Sequence, residues 1–168
     1  MTNKSELIQH CIKIRDAVLN EIQSDLSMYY INPHTLKGAC AVVSRLIFES
    51  FTSDVYDIFF CKGKYKHNGR GEDHCWLELT NKDGNKSYVI DPTISQFNYK
   101  IGPVLLIDNS EEMFKLYKCT TKIDKKDSTH KRFQNLFMWW ILVQKPVPNN
   151  ELFKKIYNNL FDYSLILC

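Results

Sequence analysis

The sequence predicts an α+β domain in which helices bracket a small antiparallel sheet, and three observations predict it. Apolar residues at helical spacing fill the N-terminal third, four strand-like runs separated by Gly-, Asn- and Lys-rich loops occupy the middle, and the C-terminal third returns to helical patterning. At 168 residues, 44% hydrophobic and 24% charged, the chain has the size and composition of one domain able to bury a core. Residues 1–168 are therefore expected to form a single domain.

Each element follows from its own pattern. Leu7, Cys11, Ile14, Val18, Ile22 and Leu26 recur at steps of three and four, which predicts an amphipathic helix over residues 5–27. Pro33 breaks the chain there, because a proline pushes the residue before it out of the helical region. A second helix is predicted over 38–51, with Ala39, Val42, Val43, Leu46 and Ile47 as its buried stripe and Thr35 or Gly38 at its cap. Strands are predicted over 55–60, 74–80, 87–93 and 103–108. Between the first two, "KGKYKHNGRGED" reads as a solvated loop placed to rim a cleft beside His74. Residues 122–132 read as a solvated loop leading into a helix, and further helices are predicted over 129–144 and 149–162. The "FMWW" run at 137–140 reads as core, since a helix points neighbouring residues in different directions.

Composition excludes several classes of function. The longest apolar run, "NLFMWWILV", is about half the length a bilayer-spanning helix needs, and "MTNKSELIQH" lacks a signal-peptide hydrophobic region. No membrane association and a cytoplasmic location are expected. A net charge of +3 is too mild to imply a nucleic-acid partner. The six cysteines are irregularly spaced, form no Cys-x-x-Cys pair and suit a reducing compartment rather than a disulfide framework. Cys61, His67, His74 and Cys75 do not match zinc-ligand spacing, so neither metal nor cofactor is expected.

The candidate chemistry lies on the central hairpin. "DG" at Asp83 and Gly84 is a strong hairpin signal, and centring the turn there sets Trp76 opposite Asp91 and His74 opposite Thr93. A four-residue loop over 82–85 gives the same register. His74 and Asp91 are then diagonal neighbours on one face, about 7–8 Å apart and within side-chain reach. Cys75, Leu77, Leu79, Tyr88 and Ile90 point the other way as plain core. The face with His74, Trp76, Glu78 and Asp91 is expected to border a cleft, since ionisable groups are costly to bury. Cys40 falls in the first turn of the second predicted helix, where unpaired amides and a nearby imidazolium lower a thiol's pKa. Gly38 allows close backbone approach of a substrate.

Taken together, Gly38-Ala39-Cys40 opening a helix, His74-Cys75-Trp76-Leu77-Glu78 and Ile90-Asp91-Pro92-Thr93 resemble the Cys, His and Asp boxes of the transglutaminase-like branch of the papain-like cysteine protease superfamily. The resemblance covers residues 36–96. It implies a papain-like fold and thiol chemistry on amide or related acyl bonds, with Cys40 as nucleophile, His74 as general base and later acid, and Asp91 orienting His74. It also implies that the Cys40 N–H forms part of an oxyanion hole. Papain-like proteases carry a glutamine upstream of the cysteine helix, where this chain has "INPHTLKG"; His34 or Asn32 stands in that place, as a second oxyanion donor or a loop cap. Trp76 is expected to pack beside His74, wall the cleft or fill core. Ala41 replaces the tryptophan common in larger transglutaminases, which leaves the acyl acceptor open.

The function expected is a cysteine-dependent acyl-transfer enzyme acting on a protein or peptide: a protein-glutamine deamidase, a transglutaminase or a thiol protease. The small size fits a stand-alone microbial enzyme, such as a translocated effector modifying a host protein. The alternatives are an inactive module of the same fold that holds a peptide or partner protein, and a scaffold that makes contact through "FMWW".

Overall fold

The computed structural model describes residues 3–24 and 36–126. Within them the protein is α+β: helices α1 (Lys4–Ser24) and α2 (Cys40–Ser50) accompany strands β1 (Tyr56–His67), β2 (Arg70–Asn81), β3 (Ser87–Asp91), β4 (Leu105–Asp108) and β5 (Tyr117–Asp124). The strands form one antiparallel sheet in the order β4-β3-β2-β1-β5. The predicted helices over 129–144 and 149–162, the "FMWW" run, Thr35, Asn32 and His34 lie outside the described residues. Among the described residues no helix is long and apolar enough to cross a membrane.

α1 starts at Asn3, whose side chain accepts from the Glu6 N–H at 2.9 Å and donates to the Glu6 carboxylate at 3.0 Å. This cap satisfies an amide that the helix leaves open. Leu7, Cys11, Ile14 and Val18 form the buried stripe read from the periodicity. In α2 the expected stripe is also buried, but Ala39 occupies the cap position and supplies no side-chain bond. The chain reaches it through Leu36 (φ 55°) and Gly38 (φ 93°), with the Ala39 N–H donating to the Leu36 carbonyl at 2.9 Å.

Two stretches expected to be loops are strands. Residues 62–73 form the far half of a long β1–β2 hairpin, paired in register from Tyr56↔Asn81 to His67↔Arg70. Its tip is Asn68-Gly69, at φ 48° and 77°, the two left-handed residues of a primed turn whose twist matches the flanking strands. The lysines at 62, 64 and 66 alternate with residues that face the sheet, so high charge masked a period of two. The first residues of the expected 122–132 loop belong to β5, which pairs with β1 across a bulge between Lys62 and Gly63.

The β2–β3 register is the predicted one, with Leu77↔Ile90 and Thr80↔Ser87. The turn takes the four-residue form: the Asn81 N–H donates to the Lys86 carbonyl at 2.9 Å and the Gly84 N–H to the Asn81 carbonyl at 2.7 Å. Only Gly84 (φ 76°) enters the left-handed region. The sheet therefore has two differently filled faces. Cys75, Leu77, Leu79, Tyr88 and Ile90 join the α1–α2 core. The opposite face, expected to border a cleft, is a second core in which Trp76 and Val89 pack with Tyr65, Ile94, Leu105 and Tyr117. Complete burial of a side chain as large as Trp76 contributes about 3 kcal/mol, enough to make a closed face the better solution once its polar groups are paired.

Candidate active site

The ladder between β2 and β3 stops at Leu77↔Ile90, and the next residue on the β3 side after Asp91 is Pro92. Hydrogen-bonded pairs on this ladder fall at odd positions of β2, as the Asn81–Lys86 bond shows, so Pro92 stands where Cys75 would look for its partner. Proline has no N–H to give. α2 covers the gap: the Ser44 hydroxyl donates to the Cys75 carbonyl at 3.2 Å, and Cys40 lies beside Cys75. Cys40 and Ser44 are one helical turn apart and so share a face of α2. The Ser44 bond ties the helix to a backbone carbonyl that β3 leaves unpaired at the open end of the ladder.

This docking brings Cys40 beside both neighbours on β2. Cys75 and His74 point to opposite faces of the sheet, yet both lie close enough to the Cys40 thiol to shift its pKa. One sulfur can touch both only from the strand's open edge, past the end of β3. The Cys75 thiol donates to Cys40 and has the largest influence in lowering its pKa; burial opposes it, and the hydrogen bond and positive charge of His74 lower it further. The Cys40 thiol is held well below its ordinary range. Cys75, which keeps its own proton as the donor, is pushed far upward.

His74 and Asp91 meet as their diagonal placement predicts. The imidazole Nε2 lies 2.7 Å from Asp91 Oδ2, and both side chains are completely buried. Burial drives the imidazole towards neutrality, but the Asp91 charge and hydrogen bond, then Cys40, outweigh it and raise the His74 pKa to about 10. The remaining capacity of Asp91 is filled. Its Oδ1 accepts from the Thr93 N–H at 2.9 Å and the Thr93 hydroxyl at 3.3 Å, and its Oδ2 also accepts from the Tyr117 hydroxyl at 2.9 Å. Four donors fix the carboxylate, and the carboxylate fixes the ring. With Nε2–H committed to Asp91, Nδ1 is the atom left to exchange a proton with the sulfur.

Gln96 completes the surroundings of Nδ1. Its amide nitrogen lies 3.2 Å from Nδ1 and donates to the Thr93 carbonyl at 3.1 Å, so the side chain is pinned beside Nδ1. Trp76 stacks beside His74, ring centroids 6.1 Å apart, and is fully buried. Of the two sequence readings that gave it a place at the site, packing against His74 describes it; it walls no open cleft. Phe97 closes the other side of the imidazole, edge-on at 5.0 Å. Cys40 is partly buried while His74 and Asp91 are fully buried, so Cys40 is the least enclosed residue of the three.

Cys40, His74 and Asp91 are thus brought together, and Asn32 and His34 lie outside the described residues. Sequence reasoning missed four contributors. Ser44 was findable, one turn after Cys40 on the same helix face. Gln96, three residues after Thr93, and Tyr117, on an unexpected strand, carried no local signal. Cys75 was read as core, which it is, but its S–H also serves the neighbouring thiol. No family model, curated protein or solved structure matches the chain.

Proposed function

We propose that the protein is a cysteine-dependent acyl-transfer enzyme of papain-like, transglutaminase-like architecture, which attacks a carboxamide of a protein or peptide through a Cys40 thioester. The observation that carries this reading is a partly buried cysteine at a helix N-terminus beside an imidazole whose Nε2 is bound at 2.7 Å by a saturated carboxylate. A structural His–Asp pair needs no thiol beside it, and a buried filler cysteine is not held below its ordinary pKa range.

In the proposed reaction the Cys40 thiolate adds to the amide carbon and the oxyanion forms next to the first amides of α2, one such donor being worth about 3 kcal/mol. His74 Nδ1–H protonates the leaving nitrogen, which departs as ammonia or an amine and leaves the thioester. Nδ1 then takes a proton from the incoming nucleophile. Water gives deamidation or proteolysis, and an amine gives transamidation. Five described cysteines are free thiols, which suits a reducing compartment such as the cytoplasm.

The test is limiting iodoacetamide at about pH 6, where an ordinary thiol is almost wholly protonated, with each modified cysteine located by mass spectrometry. Cys40 is expected to react first, and His74→Gln to erase its lead; candidate protein amides are then scored for ammonia release. A Cys40 no more reactive than Cys119 would overturn the reading and leave the inactive binding module in its place.

A further inference from the structure

Away from Cys40, three ligating side chains converge from three strands. Cys61 of β1, Glu78 of β2 and Cys119 of β5 bring two sulfurs and a carboxylate oxygen within 4.8 Å of one another. Cys61 pairs with Trp76, and Phe59 with Glu78, which makes Cys61 and Glu78 diagonal neighbours on one face. Cys119 arrives opposite Gly63 at the β1–β5 bulge. Glycine is required there, because a Cβ at position 63 would lie 2.1 Å from the Lys118 carbonyl oxygen and 3.0 Å from the Cys119 Cα. The bulge and the glycine together bring β5 in and aim Cys119 at Cys61, a known use of bulges.

The surroundings are those of a site rather than of two stray thiols. Both cysteines are free, and the Cys119 thiol donates to the Thr121 carbonyl at 3.2 Å. Cys61 is buried and Cys119 exposed, so the cluster has a fixed inner end and an open outer one. Glu78 is oriented from two sides, by Lys122 Nζ at 2.7 Å on Oε2 and by the Trp76 indole N–H at 3.4 Å on Oε1.

We propose that Cys61, Glu78 and Cys119 form a three-ligand site for a thiophilic divalent cation of the zinc class, with the fourth position open to water. Tetrahedral bonds of about 2.3 Å to sulfur and 2.0 Å to oxygen put ligand atoms roughly 3.5–3.8 Å apart, so the cluster needs to tighten by about 1.3 Å at most. Two thiolates select a zinc-like ion over magnesium or calcium. Two thiolates, one carboxylate, the Lys122 ammonium and a divalent ion sum to neutrality, and the thiol protons pass to solvent as the ion binds. Sequence spacing gave no hint of the site because its ligands come from separate strands.

The test is anaerobic titration of the reduced, chelator-stripped full-length chain with Co²⁺. One equivalent is expected to produce sulfur-to-cobalt charge-transfer absorption and tetrahedral ligand-field bands, displaced by Zn²⁺ and retained in Cys40→Ser. The charge-transfer band should fall by about half in Cys119→Ser or Cys61→Ser, and Glu78→Gln should weaken binding at least about tenfold. Cys119 is exposed, so its variant keeps the test valid if Cys61→Ser fails to fold. A band that survives Cys119→Ser but disappears in Cys40→Ser, no stoichiometric band at all, or a Cys61–Cys119 disulfide in protein purified without reductant would each overturn the proposal.

Discussion

The two faces of the same strands solve opposite problems. On the α1–α2 side, β2 and β3 contribute Cys75, Leu77, Leu79, Tyr88 and Ile90 to an apolar core. On the other side the intervening residues bury a histidine, an aspartate and a tryptophan among aromatic rings. A buried ionisable group is tolerable only when its hydrogen bonds are made, and Asp91 makes four. The first face holds the fold and the second holds an imidazole in one orientation. Cys40 belongs to the first face by its helix and to the second by its chemistry, because the ladder ends at Pro92 and lets the sulfur reach both.

Substitutions on the two faces should therefore fail differently. Asp91→Asn puts an amide donor against the His74 N–H and the Tyr117 hydroxyl; if the thiol chemistry is as proposed, turnover should fall about 10⁴-fold, measured as ammonia release by folded protein. Leu77→Ala on the helix side should cost about 2–5 kcal/mol of stability in denaturant unfolding. The rate of Cys40 alkylation per folded molecule should stay unchanged, and a matching loss of reactivity there would erase the distinction between the faces.

Cys75 sits on the first face but acts on the second. Cys75→Ala removes the S–H donor that most lowers the Cys40 pKa, so the pH midpoint of Cys40 alkylation should move up; Cys75→Ser, which keeps a donor, should recover most of the shift. Tyr117→Phe removes one of the four Asp91 donors and should have the smallest effect, a stability loss of about 1 kcal/mol with Cys40 still the first cysteine to react.

Much of this arrangement was legible in the sequence. Residue alternation and one turn signal were enough to put His74 and Asp91 on one face, since every plausible turn length of even count gives the same register. The helical stripe placed Cys40 at a helix start. What was not legible came from outside the hairpin. "KYKHNGRGED" was read as a loop although "NG" flanked by alternating residues is a hairpin signal; its lysines and glycines concealed strands paired along their whole length. β5 went unseen because five of its eight residues are exposed and polarity there mimics a loop. With β5 went Tyr117 and Cys119. The burial of the second face was missed for the same reason, since the aromatic residues that close it come from Tyr65, Phe97 and Tyr117, on elements the hydrophobic pattern did not connect.

The account rests on an imidazole that lowers the pKa of one particular thiol, and the pH profile of Cys40 alkylation tests that directly. His74 is raised to about 10 and Cys40 is lowered, so the pair is charged at neutral pH. The Cys40 rate in the unaltered protein should already be on its plateau well below pH 8.5, the ordinary thiol value of about 8.5. In His74→Gln the cation is gone, and the midpoint should move up towards that ordinary value. A Cys40 profile that lies at the ordinary thiol position in the unaltered protein, or that does not move in His74→Gln, would contradict the account.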